Sequence, residues 1–206
     1  MQWLIESLIW LPAILIALTF HEFAHGWVAD RLGDSTPSLQ GRLTLNPLPH
    51  IDWVGFLMLM IFKFGWAKPV QVDPRNFTKV SPKQGMMLVS LAGPGMNVLL
   101  ALLGMVVLKG IVLDQNSLGA ELFVPLLEPL VYINLILAAF NLIPVPPLDG
   151  SKILAGLLPD AGARFIYSME QYGPLLLLLL IVTDSVGTIL WPLVNLLYGI
   201  LTTIVS

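Results

Sequence analysis

Between Leu8 and Phe20 the chain carries no charge, and then His21, Glu22 and His25 follow within five residues. No other feature restricts the fold as much. A run this apolar belongs in a membrane or a buried core, where an ionisable group is expensive and is placed for function. On a helix, positions i and i+4 share one face, so His21 and His25 point the same way with Glu22 beside them. The pattern is H-E-x-x-H: two neutral imidazoles bind one Zn²⁺, and the glutamate acts on the water that the metal activates.

Composition decides between membrane and core. The 206 residues are 56% hydrophobic and 11% charged, with a mean hydropathy of +0.83. A soluble domain carries roughly 25% charged residues, so most of its solvated surface is missing here. Several apolar runs reach the roughly 20 residues that a bilayer-crossing helix needs. The reading is an all-α polytopic membrane protein, one domain over residues 1–206, without repeats, linkers or an appended soluble unit. A net charge of −3 implies no nucleic-acid partner; the lipid bilayer is the partner that composition implies. The absence of cysteine removes disulfides and thiolate metal sites. The first apolar run lacks a basic leader and reads as a retained helix, not a signal peptide.

Five spans are expected, at about residues 3–28, 84–108, 125–143, 161–183 and 186–204. Residues 51–66 are apolar but short, and Gly55, Lys63 and Gly65 interrupt them. They predict a re-entrant or interfacial segment. Weak alternation over residues 38–47 predicts a short β-hairpin at the membrane surface. Gly93, Pro94 and Gly95 lie inside the second span and are expected to open its helix. Residues 109–124 read as a loop holding Asp114 and Glu121. Pro144, Pro146 and Pro147 end the third span and leave Asp149 on irregular backbone, which protein or a water-filled cavity must cover. Glu6 and Asp184 are expected to face the interface at helix ends.

Topology decides which of these groups can meet. If residues 51–66 do not cross, the spans ending at His25 and Pro144 run the same way, and their polar clusters share one depth. The charges agree. Arg31, Arg42, Lys63, Lys68, Arg75, Lys79 and Lys83 fall in one stretch, Lys152 and Arg164 join that side, and Lys109 stands opposite. The positive-inside rule places the basic side in the cytoplasm. Five spans then put the amino terminus outside, the carboxyl terminus in the cytoplasm and the site in the cytoplasmic half.

His21-Glu22-Phe23-Ala24-His25, Gly93-Pro94-Gly95-Met96-Asn97 and the run from Asn141 to Leu148-Asp149-Gly150 together resemble the site-2 protease family of intramembrane zinc metalloproteases. Trp66-Ala67-Lys68-Pro69-Val70 and Leu43-Thr44-Leu45-Asn46-Pro47 resemble its small branch, which lacks PDZ and CBS domains. The likeness covers roughly residues 10 to 180. It implies one Zn²⁺ per chain, held by His21, His25 and Asp149, with Glu22 passing a proton from the attacking water to the leaving amine. It further implies Asn97 and Asn141 as amide donors to an oxyanion or to substrate, and Gly93, Pro94 and Gly95 as the place where an extended peptide approaches. A strand-like edge at residues 39–45 is expected to pair with the unwound substrate. The implied substrate is a transmembrane segment of a partner protein. The implied location is the cell membrane of a prokaryote, with the site toward the cytoplasm.

Taken on residue chemistry alone, Asp149 also suits a helix cap, and Asn97 and Asn141 also suit polar bridges between helices. His50 reads as an interfacial or hydrogen-bonding group, not a ligand. Two other functions compete with proteolysis. A zinc-stabilised scaffold or chaperone that binds transmembrane helices without cutting them has no need of Glu22. A metal transporter needs ionisable groups through the full membrane depth, whereas these cluster at one level.

Overall fold

The computed structural model describes residues 2–62, 65–113 and 118–206. Lys63, Asp114 and the side chain of Glu6 lie outside the described residues. In chain order the helices are α1 (Gln2–Leu32), α2 (Thr36–Leu39), α3 (Trp53–Phe62), α4 (Pro82–Leu113), α5 (Leu118–Asn141), α6 (Asp149–Leu157), α7 (Asp160–Met169), α8 (Gly173–Val182) and α9 (Ser185–Val205). Five stretches among the described residues are long and apolar enough to cross a membrane: Ile9–Leu32, Pro82–Val112, Phe123–Asn141, Asp160–Val182 and Ser185–Val205.

Helices α1, α4 and α5 pack into the central group, and α9 joins α4 and α5 on one flank. Lipid tails are as apolar as leucine, so these helices associate by close fit, not by escape from water. Small residues supply that fit. Ala17, Ala101, Ala138 and Ala139 are wholly buried, and a Cβ on Gly104 would meet Val131 at 2.7 Å. Away from the polar residues, Met105, Val131, Leu135, Val194 and Leu201 close a purely apolar core.

Several expectations need correction. Residues 38–47 form no hairpin: α2 ends at Leu39, and turns follow. The Thr44 hydroxyl accepts from the Asn46 amide at 3.1 Å, and Asn46 Oδ1 accepts from the Leu48 amide at 3.1 Å. These side chains satisfy locally the backbone groups that a strand would need. The alternating leucines Leu39 and Leu45 simply face outward. Among the described residues the only β pairing is one antiparallel bridge between Ile51 and Ala67. It brings the two ends of the 51–66 segment together around the ten-residue α3.

The loop expected at residues 109–124 is narrower, because α4 runs to Leu113 and α5 begins at Leu118. Helix α4 is continuous through Pro94, so Gly93-Pro94-Gly95 does not open it. Gly93 instead allows close approach: a Cβ there would lie 2.5 Å from His25 Nε2 and 2.6 Å from His21 Cε1. Asp149 is not on irregular backbone but is the first residue of α6.

The carboxyl end is also misplaced by the five-span reading. Lys83 and Asp160 pair at 3.0 Å, so α7 starts beside the start of α4. At the other end, Lys109 Nζ donates to the carbonyls of Val205 and Ser206, at 2.5 and 2.8 Å. The chain therefore ends beside the far end of α4. Tyr132 stacks on Tyr198, so α9 packs against α5 along this face. Residues 160–205 thus start beside one end of α4 and finish beside the other. The physical reason is a 3₁₀ turn over Glu170–Tyr172, which splits Asp160–Val182 into two ten-residue helices. Each is about 15 Å long, half of a hydrocarbon core.

Candidate metal centre

The site lies where α1, α4 and the start of α6 meet. One helical turn separates His21 from His25 on the buried face of α1, and Gly93 lets α4 pack directly on their rings. Leu148 delivers Asp149 to the same point. A Cβ on Gly150 would lie 2.4 Å from the Leu142 carbonyl oxygen, so only glycine lets α6 start this close to the end of α5. His21 Nε2 and His25 Nε2 are 3.0 Å apart. Asp149 Oδ2 stands 3.3 Å from the first and 3.2 Å from the second.

The hydrogen bonds fix the protonation of both rings. His25 Nδ1 faces the Val89 carbonyl at 2.7 Å, which can only accept, so Nδ1 carries the proton. His21 Nδ1 meets Asn97 Oδ1 at 2.6 Å. The Asn97 amide nitrogen donates to the Ala17 carbonyl (3.1 Å) and to Asn134 Oδ1 (2.8 Å). Asn134 in turn donates to the Leu130 carbonyl at 2.8 Å. That chain orients Asn97, so His21 also holds its proton on Nδ1. In the neutral form of each ring Nε2 is then the nitrogen with the free lone pair, and both converge on a carboxylate oxygen.

Three lone pairs brought this close repel one another unless a cation lies between them. Tetrahedral zinc with bonds of about 2.0–2.1 Å has ligand atoms about 3.3 Å apart, which these separations match. Imidazoles held through Nδ1 by an outer partner are the usual arrangement around such a metal. The three side chains are also the cluster of metal-binding type found among the described residues.

Glu22 points into the same cleft, a cavity of about 630 Å³ that also touches Trp66, Val70, Asn141 and Lys152. Its Oε2 accepts from the Val70 amide at 2.8 Å. The two asparagines separate. Asn97 is fully buried and its polar atoms are engaged by His21, Ala17 and Asn134. Asn141 lines the cleft and spends one amide hydrogen on the Leu137 carbonyl at 3.0 Å. His50 is buried and lies off the ligand set, bonded to Thr44 and Arg42.

Sequence reasoning overlooked Asn134 and the Val70 amide. A lone asparagine inside an apolar helix was the available signal for Asn134, since such a group must find a partner there. Nothing in the sequence marks a backbone amide as a partner of Glu22.

The profile of peptidase family M50 matches residues 9–181. YwhC of Bacillus subtilis, which bears the name of a zinc metalloprotease, is 38% identical over 189 residues, covering 88% of this chain and 84% of its own length. Rip2 of Mycolicibacterium smegmatis, named likewise, is 30% identical over 176 residues, covering 84% of this chain and 66% of its own. Rip2 of Mycobacterium tuberculosis is 30% identical over 187 residues, covering 86% and 70%. No solved structure matches the chain.

Proposed function

The chain belongs to peptidase family M50, the site-2 proteases, and is a zinc metalloendopeptidase; on that premise we propose that it cuts transmembrane segments of partner proteins inside the bilayer. In this reading His21, His25 and Asp149 hold the metal and Glu22 is the base. The observation that carries it is the convergence of His21 Nε2, His25 Nε2 and Asp149 Oδ2 beside the buried Glu22 carboxylate, in one cleft within a membrane-type helix bundle.

Zinc, when bound, supplies a Lewis acid that makes water nucleophilic near neutral pH and polarises the scissile carbonyl. The chain's own residues handle protons and position. Glu22 takes a proton from the attacking water as its oxygen adds to the carbonyl carbon, and returns it to the amide nitrogen as the C–N bond breaks. The Val70 amide occupies Oε2, which leaves Oε1 for that proton. Asn141 faces the cleft and is assigned to donate to the carbonyl oxygen as it gains charge. Asn97 has no amide hydrogen left for that task and is assigned instead to orient His21.

The bridge between Ile51 and Ala67 supports a 51–66 segment that enters and leaves at one depth. The basic residues around the start of α4 support the cytoplasm as the side that the site faces. Quantitative proteomics of membranes from cells carrying wild type or Glu22→Ala tests the proposal. The expected result is a full-length membrane protein that accumulates only in the variant, with loss of its cytoplasmic fragment. An unchanged membrane proteome over many growth conditions would contradict it.

A further inference from the structure

Arg42 lies in the segment that the sequence places at the membrane surface, yet it is only 4% exposed. Gly41, at φ +66°, makes the turn that sends it inward. Arg42 Nη2 donates to the Lys68 carbonyl at 2.5 Å, and Nη1 donates to the Pro69 carbonyl at 3.3 Å. The next residue is Val70, whose amide holds Glu22. Lys68 is gripped from its other side as well, because its amide donates to the His50 carbonyl at 2.9 Å. His50 Nε2 donates to the Thr44 carbonyl at 2.9 Å, which turns Nδ1 toward Arg42 Nη2 as an acceptor at 3.4 Å.

We propose that Arg42 is a positioning residue for Glu22: its guanidinium fixes the backbone of residues 68–70 so that the Val70 amide holds the carboxylate in the cleft. The inference rests on Glu22 acting as the base.

Two observations separate this from a loop clamp that merely fills space. First, Arg42 Nε is buried with no hydrogen-bond partner, and among the described residues no carboxylate pairs with Arg42 at ion-pair distance. Burying a cation in that way is unfavourable, so filling space alone does not account for an arginine here. Second, the carboxylate whose charge Arg42 feels is Glu22: burial draws the guanidinium below its usual range, and the Glu22 charge opposes that shift. A base displaced by about 1 Å loses on the order of a hundredfold in rate, so a rigid anchor behind Glu22 has a direct kinetic effect.

The test uses full-length protein in detergent with a labelled transmembrane-segment peptide, comparing Arg42→Lys, Arg42→Gln, Val70→Pro and Arg42→Lys/Val70→Pro. Arg42→Lys should lower kcat roughly tenfold and Arg42→Gln roughly a hundredfold, with KM within about twofold and zinc content unchanged. The double variant should be no slower than Val70→Pro alone, since both changes act through one hydrogen bond. Hydrogen exchange at the Val70 amide is the readout apart from activity and should speed up in Arg42→Lys. A raised KM at unchanged kcat, multiplied losses in the double variant, or unchanged Val70 exchange would each overturn the proposal. If Arg42→Gln fails to fold, Arg42→Lys and the double variant still decide. A Glu22→Gln control separates the two readings: full activity there overturns the base assignment, while exchange still reports whether Arg42 holds Val70.

Discussion

The two halves of the helix bundle are held together differently. In the half remote from the metal site, Met105, Val131, Leu135, Val194 and Leu201 make a core with no polar atom that needs a particular partner. In the half around the site, the buried side chains include Asp34, Arg42, His50, Asn97 and Asn134 together with the ligand set, and each has a named partner. Loss of a side chain in the remote half leaves a cavity, whose effect depends on how far neighbours relax. Loss near the site leaves an orphaned donor, acceptor or charge, which is penalised wherever water is excluded. The comparison teaches that fit maintains the bundle while hydrogen-bond accounting maintains the site, so stability and metal binding should be separable by mutation.

The largest effect should come from Asp149→Ala, which removes the carboxylate of the proposed ligand set. Metal analysis after dialysis should find zinc near absent, and activity should fall by more than the roughly hundredfold typical of an outer partner. Asn97→Ala comes next. It strands the His21 N–H and the Asn134 acceptor, and chelator competition should show zinc held roughly 10–100-fold more weakly. Leu201→Ala in the remote core should lower the unfolding free energy by about 2 kcal/mol while zinc content and kcat stay at wild-type values. If Leu201→Ala loses zinc as readily as Asn97→Ala, the division into two halves fails.

The smallest effect is a pH dependence at Asp34, in the turn after α1. Burial would push this carboxyl up, but the Asn76 amide, the Thr36 hydroxyl and the Asp73 and Thr36 backbone amides outweigh it and hold it below the usual carboxylate range. A depressed folded value means that Asp34 stabilises the fold fully near neutral pH. The contribution is lost as pH falls from the ordinary carboxylate range through the folded value. Melting temperature measured against pH should therefore drop in that acid window for the wild type, and the drop should be shallower in Asp34→Asn.

Much of this was legible in the residues. His21 and His25 lie four positions apart on one helix with Glu22 between them, and that spacing is local information. That Asp149 lies at the depth of the two histidines was legible from topology and from the resemblance, but its close approach depends on Gly150 fitting under the Leu142 carbonyl, which no local pattern shows. The turns at residues 40–47 were misread because leucine alternation imitates a strand, whereas Thr44 and Asn46 bind their own backbone. The carboxyl-terminal helices were misread for a different reason. Hydropathy counts apolar residues and is blind to the break at Glu170–Tyr172, and no local pattern announces that Lys109 meets Ser206. Contacts made by backbone groups, such as Val70 with Glu22, leave no mark on side-chain chemistry at all.

The central claim is that Glu22 works on a metal held by His21, His25 and Asp149. Its most direct test is cleavage of a labelled transmembrane segment in reconstituted vesicles by wild type and Glu22→Gln, with zinc quantified in the same samples. The account predicts about one zinc per chain in both proteins, cleavage by the wild type, and a loss of roughly a hundredfold or more in the variant. Equal cleavage by Glu22→Gln at equal zinc content would contradict it.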